Sequence, residues 1–235
     1  MATTSGPCAA LVPRLPDPVG LIFDLDGTLI DSAPDIHATA NKVLGAEGLA
    51  PFAFETVKGF IGNGVGVLVA RLLMSRGLPG SGPDHERLVS AFINSYEEAV
   101  DLTALYPNVL QALDALSAAG HPMAICTNKP ARPALAVLRH FGLDRHFPVI
   151  IGGDTLAERK PDAAPLLHAR AALGCPDILF IGDSEVDAET AAAARVAFVL
   201  FTEGYRKTAP EALGASAVFD DFAALPALVR GLTAG

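Results

Sequence analysis

The sequence predicts an α/β fold, a Rossmann-like, doubly wound parallel-sheet core with an inserted helical cap domain. Three observations lead there. Short apolar runs ending in polar clusters alternate with longer Ala/Leu-rich stretches of helical spacing, the pattern of strands covered on both faces by crossover helices. The alternation breaks once, where residues 34–102 read as helices only. The polar clusters stand at the C-terminal ends of the apolar runs, where open parallel sheets bind their ligands.

The first strand is read over residues 19–25. The helical block follows, with helices over 34–46, 55–61, 65–76 and 85–100; a Gly/Pro/Ser-rich turn at 77–83 separates the last two. The alternation then resumes with helix 109–119, strand 121–127, helix 133–141, strand 148–152, helix 163–173, strand 178–182, helix 185–194 and strand 196–201. Gly120, Gly142 and Gly174 follow three of these helices, where a left-handed terminating residue belongs. This reading divides the chain into a loose leader (1–18), a core (19–33 and 103–235) and a cap (34–102).

The 235 residues are 51% hydrophobic and 18% charged, which suits a substantial core and excludes general disorder. No uncharged apolar run is long enough to span a bilayer. A net charge of −9 argues against a nucleic-acid binder but not against a phosphate substrate, because local cations and a metal outweigh a global charge. Cys8, Cys126 and Cys175 have no paired ligand spacing and read as small hydrophobes in a reducing compartment. The six histidines show no zinc spacing. The N-terminus carries no signal-peptide pattern, so a cytoplasmic protein is expected.

Four polar clusters carry the candidate chemistry. Asp24 and Asp26 leave the first strand two residues apart and converge on one small volume, which implies a metal or a shared proton. Gly27 lets the chain turn and Thr28 offers a hydroxyl; read alone, the same residues fit a solvated acidic turn. Thr127 and Asn128 end the second strand and could donate to a phosphate oxygen, or form an ordinary polar loop. Lys160 precedes a helix, where a solvated charge is the plain alternative. Asp183 and Asp187 flank the end of the fourth strand, where capping of the next helix is the alternative.

At these residues the sequence resembles the haloacid dehalogenase superfamily, whose four motifs occur in order: Asp24-Leu25-Asp26-Gly27-Thr28, Thr127, Lys160, and Gly182-Asp183 with Asp187. More narrowly it is similar to the phosphoglycolate phosphatase family, on residues 23–32, Ile61-Gly62-Asn63-Gly64-Val65, Thr127-Asn128-Lys129-Pro130, Gly153-Asp154-Thr155 and Glu203-Gly204-Tyr205. Two positions depart from the family pattern, Ala163 where a second proline is common and Val186 where a polar residue is common.

The resemblance implies an enzyme that hydrolyses a small phosphate monoester, 2-phosphoglycolate first, through an aspartyl-phosphate. Asp24 would be the nucleophile, Asp26 the general acid and base, and Thr127 and Lys160 the ligands of the phosphoryl oxygens. Mg²⁺ would be held by Asp24, Asp183 and the Asp26 carbonyl, with Asp187 nearby. Thr28 and Asn128 are expected at the substrate, and the cap loop Gly62-Asn63-Gly64 could offer backbone N–H groups to a carboxylate; a plain helix–helix turn is its alternative. Arg71 and Lys42 are further cap cations, each equally read as part of a solvated helix face. The expected partner is a small phosphate alone, with neither nucleic acid nor membrane, acting on a monomer or homodimer. Three rivals stay open: a phosphosugar mutase, a phosphatase for another small phosphate, and a silent scaffold.

Overall fold

Strand β1, Gly20–Phe23, is buried from end to end and sits near the middle of a six-stranded sheet. The computed structural model describes residues 18–96 and 99–233; the expected leader up to residue 17, with Cys8, lies outside them. Beside β1 the sheet holds β4 (Met123–Cys126), β5 (Val149–Ile151), β6 (Ile178–Gly182), β7 (Ala197–Phe201) and β8 (Ala217–Phe219), in the order β5-β4-β1-β6-β7-β8. Every pairing in it is parallel. The two remaining strands, β2 (Ile30–Asp31) and β3 (Ala104–Leu105), pair antiparallel as a short separate ribbon.

Period-two burial explains why β1 reads as a continuous apolar run. Leu21 and Phe23 enter an apolar cluster with Leu113, Leu138 and Val229, from helices α5 (Val109–Ala118), α6 (Ala131–His140) and α9 (Leu225–Thr233). Ile22 points the other way, to Leu166, Ala169 and Ala191 from α7 (Ala164–Leu173) and α8 (Glu185–Ala194). Helices therefore cover both faces, and the C-terminal strand ends form one edge. Gly120, Gly142 and Gly174 adopt φ of 87°, 66° and 69°, the left-handed values expected of helix-terminating residues.

Between β2 and β3 the described chain is helical: α1 (Ala33–Ala46), α2 (Phe54–Lys58), α3 (Val65–Met74) and α4 (Pro83–Tyr96). These helices bury Ile36, Leu44, Leu68, Leu72, Phe92 and Tyr96 in a cluster of their own. The observed α2 is shorter than the helix expected over 55–61, because the chain turns at Gly59–Ile61. The helix expected over 85–100 is described to Tyr96; residues 97–98 lie outside the described set and Ala99 and Val100 are not helical. Strands β2, β3 and β8 and helix α9 add to the elements the sequence predicts. No described helix is long and apolar enough to cross a membrane.

Candidate active site

The sheet passes its last ladder bond to the first acid: the Asp24 amide donates to the Ile181 carbonyl at 2.9 Å. The chain then folds back, with the Thr28, Leu29 and Ile30 amides all donating to the Leu25 carbonyl. Gly27, at φ 90°, makes this turn possible, and a Cβ there would stand 2.6 Å from Asp183 Oδ2. The turn carries the Thr28 hydroxyl to Asp183 Oδ1, a 2.8 Å hydrogen bond. Asp183 Oδ2 accepts the Tyr205 amide at 2.7 Å.

Asp187 begins α8 in a capping box with Ser184. Its Oδ2 accepts the Ser184 hydroxyl at 2.6 Å and the Ser184 and Asp183 amides at 3.1 and 3.2 Å. A Cβ on Gly182 would lie 2.5 Å from the Asp187 carboxyl carbon, so glycine is what lets this carboxylate fold under the strand end. Asp187 Oδ1 takes Lys160 Nζ at 2.7 Å, and the same ammonium lies 2.9 Å from Asp24 Oδ1. Lys160 is only 4% exposed, so the solvated-charge alternative fails.

Oxygens of Asp24, Asp183 and Asp187 all lie within 4.8 Å of one another. Three buried carboxylates against one lysine leave excess negative charge in a poorly hydrated place. Burial pushes Asp24 up to about 6 against the opposing pull of Lys160, and burial with repulsion from Asp187 and Asp24 raises Asp183 well above the carboxylate range. For Lys160, burial opposes the charge, but Asp187 and Asp24 outweigh it and hold the ammonium above its ordinary value. A divalent cation fits this donor set: hard oxygens, close together and carrying surplus negative charge.

Asp26 stands apart from the three-acid cluster. Its Oδ1 accepts the Ser32 hydroxyl at 2.6 Å and Lys129 Nζ at 3.0 Å. Lys129 is 7% exposed, hydrogen-bonded to the Tyr96 hydroxyl of α4, with Nζ 4.0 Å from that ring's centroid. Burial outweighs Asp26 and lowers the Lys129 pKa, the opposite outcome to Lys160. Asn128 Nδ2 donates to the Gly62 carbonyl of the helical block at 3.0 Å and to the Lys160 carbonyl at 2.9 Å.

Two cavities meet at Asp24 and Asp26. One, of about 50 Å³, reaches between the sheet edge and the helical block and is lined by Gly62, Gly64, Thr127, Asn128 and Lys129 with apolar side chains of α1, α3 and α4. The other, of about 320 Å³, carries Asp183, Asn63 and Glu185. The predicted residues thus come together, with Lys160 and Asp187 beneath Asp24. Within the loop Gly62-Asn63-Gly64, the Asn63 amide oxygen accepts from Arg71 at 2.9 Å; Arg71 also donates to the Phe60 carbonyl at 3.0 Å. Sequence reasoning assigns no role to Lys129, Tyr96, Ser32 or Tyr205. For Lys129 the signal was its place directly after Thr127 and Asn128 at a strand end.

The haloacid dehalogenase-like hydrolase family model matches residues 21–201, which span all of these groups except Tyr205. The chain belongs to that family. Among hydrolases of this kind, a protein of Rhodobacter capsulatus named phosphoglycolate phosphatase is 49% identical over 213 residues, 91% of this chain and 97% of the relative. A Rhodospirillum rubrum protein of the same name is 42% identical, covering 88% and 89%. The crystal structure of a predicted phosphoglycolate phosphatase from Haemophilus somnus superposes with a TM-score of 0.82 at 34% identity, covering 89% of this chain and 96% of that one.

Proposed function

We propose that this hydrolase cleaves 2-phosphoglycolate to glycolate and phosphate through a phosphoryl group carried on Asp24. The observation that carries the reading is Asp24 itself: a strand-end carboxylate beside buried Lys160, opening on a cavity of about 50 Å³. The names of the relatives point to the same substrate.

In the first half-reaction an Asp24 oxygen bonds to phosphorus as the ester oxygen leaves, and the Asp26 carboxyl donates its proton to that oxygen. In the second, Asp26 takes a proton from water, whose oxygen displaces Asp24 and releases phosphate. Lys160 and Thr127 bind phosphoryl oxygens, and Asp187 holds Lys160 in place. Asp24 and Asp183, with the Asp26 carbonyl, would hold the divalent ion, read as Mg²⁺ because every donor is a hard oxygen. That ion offsets repulsion between Asp24 and the incoming dianion. Residues 34–102 act as a cap that shields the reacting atoms from bulk water.

Phosphate release from 2-phosphoglycolate, glucose phosphates and pyrophosphate, with Mg²⁺ or EDTA, tests the reading. The expected result is Mg²⁺-dependent release favouring 2-phosphoglycolate, falling at least about a thousandfold in Asp24→Asn. Equal rates for wild type and Asp24→Asn would defeat it. Activation by a bisphosphate without net phosphate release would mark a mutase instead.

A further inference from the structure

We infer that Lys129, which follows β4 and is held by Tyr96 of α4, is the residue that recognises the second anionic group of the substrate. The inference rests on the phosphatase reading above and adds the origin of its specificity. Lys129 is the one cationic side chain among the described residues lining the small cavity, whose wall is otherwise largely apolar, with Ile36, Val65, Leu68 and Phe92. The two buried lysines divide the site. Lys160 lies against Asp24 and Asp187, on the side of the reacting phosphoryl group. Lys129 lies against Asp26 and Tyr96, on the side of the tail.

An ammonium has three donors, and among the described residues Asp26 and the Tyr96 hydroxyl take two. The third is left for a ligand. The tail of 2-phosphoglycolate ends in a carboxylate two heavy atoms from the ester oxygen, and Lys129 lines the same small cavity as Asp24. In this poorly hydrated cavity a charge-assisted hydrogen bond discriminates strongly, since a neutral tail leaves the ammonium short of a partner. The contact also ties recognition to chemistry, because the side chain that takes the carboxylate is the one that otherwise holds Asp26.

The test compares kcat/KM for 2-phosphoglycolate and for ethyl phosphate, a tail of similar reach without the carboxylate, in the Mg²⁺-loaded wild type, Lys129→Met and Lys129→Gln. Lys129→Gln keeps a donor toward Asp26 and Tyr96 and serves if the methionine variant fails to fold, as judged by its melting transition. Because any disturbance of Asp26 affects both substrates, the ratio isolates the tail contact. The expected result is a wild-type preference for 2-phosphoglycolate that falls at least about thirtyfold in the variants, mostly through KM, the scale for losing one partner of a buried charge pair. An unchanged ratio, with both substrates losing equally, would overturn the inference, limit Lys129 to positioning Asp26 and leave the phosphatase reading standing. A wild type with no preference for the carboxylated substrate would overturn the substrate reading itself, and this inference with it.

Discussion

Asp24 is a carboxylate that the fold would rather keep neutral until a cation arrives. Its folded-state pKa of about 6 exceeds the ordinary 3.8 because burial outweighs the attraction of Lys160. A raised acid pKa contributes stability that is fully present below about 3.8 and lost as pH rises through about 6. At 1.36 kcal/mol per unit the effect is on the order of 3 kcal/mol. The melting temperature of metal-free wild type should therefore fall relative to Asp24→Asn between pH 4 and 7, and Mg²⁺ should raise the wild-type value more at pH 8 than at pH 5. Parallel melting curves for the two proteins across that range would contradict this account. Lys160 makes the complementary case. Lys160→Met strips the three carboxylates of their buried cation and should cost about 3–5 kcal/mol in urea denaturation near pH 8, less near pH 5 as the acids take up protons.

At the scale of elements, α1 begins without help from its own N-cap. The Ser32 side chain goes to Asp26, and the first helical amides are met from the far end of the chain: the Tyr205 hydroxyl accepts from Ser32 and Ala33 at 2.8 and 3.0 Å and donates to Asp31 at 2.8 Å. Since the Tyr205 amide also binds Asp183, one residue joins the three-acid cluster to the root of the helical block. Tyr205→Phe leaves the buried Ser32 amide unsatisfied and the Ala33 amide with only Asp31 Oδ1 at 3.3 Å, and should lower stability by about 1–3 kcal/mol in urea denaturation; an unchanged midpoint would remove Tyr205 from this role. The same elements explain what could be read from the sequence. Strands β1, β4, β5, β6 and β7 announce themselves because each is apolar on both faces and ends in polar residues. Strands β2 and β3 have two residues each and β8 three, too short for any period to show. The helical spacing of Leu225, Val229 and Thr233 in α9 was present, but no strand follows it to complete the alternation. Asp24 and Asp183 were legible because each directly follows a strand, and Lys160 because it falls in order among the four motifs. The roles of Lys129 and Tyr205 were not, although both residues lie in quoted motifs, because they depend on partners 33 and 173 residues away.

Across the whole molecule, two apolar clusters sandwich the sheet, a third fills the helical block, and the site lies where block and sheet edge meet. Asn128 spans that seam, with its amide nitrogen donating to the Gly62 carbonyl of the helical block and to the Lys160 carbonyl beside the sheet edge. If the cap closes over substrate as proposed, Asn128→Ala should raise KM for 2-phosphoglycolate about tenfold, the equivalent of one net hydrogen bond; a KM within twofold of wild type would show that closure does not use this tie. The proposed chemistry centres on a phosphoryl group carried on Asp24, and the direct measurement is to trap it. Enzyme quenched during turnover of 2-phosphoglycolate with Mg²⁺ and reduced with borohydride converts an acyl phosphate to homoserine, which peptide mass spectrometry locates. Homoserine at position 24, absent without substrate, is the predicted result. Steady phosphate release with residue 24 unmodified and homoserine at another acid, or at none, would contradict the account.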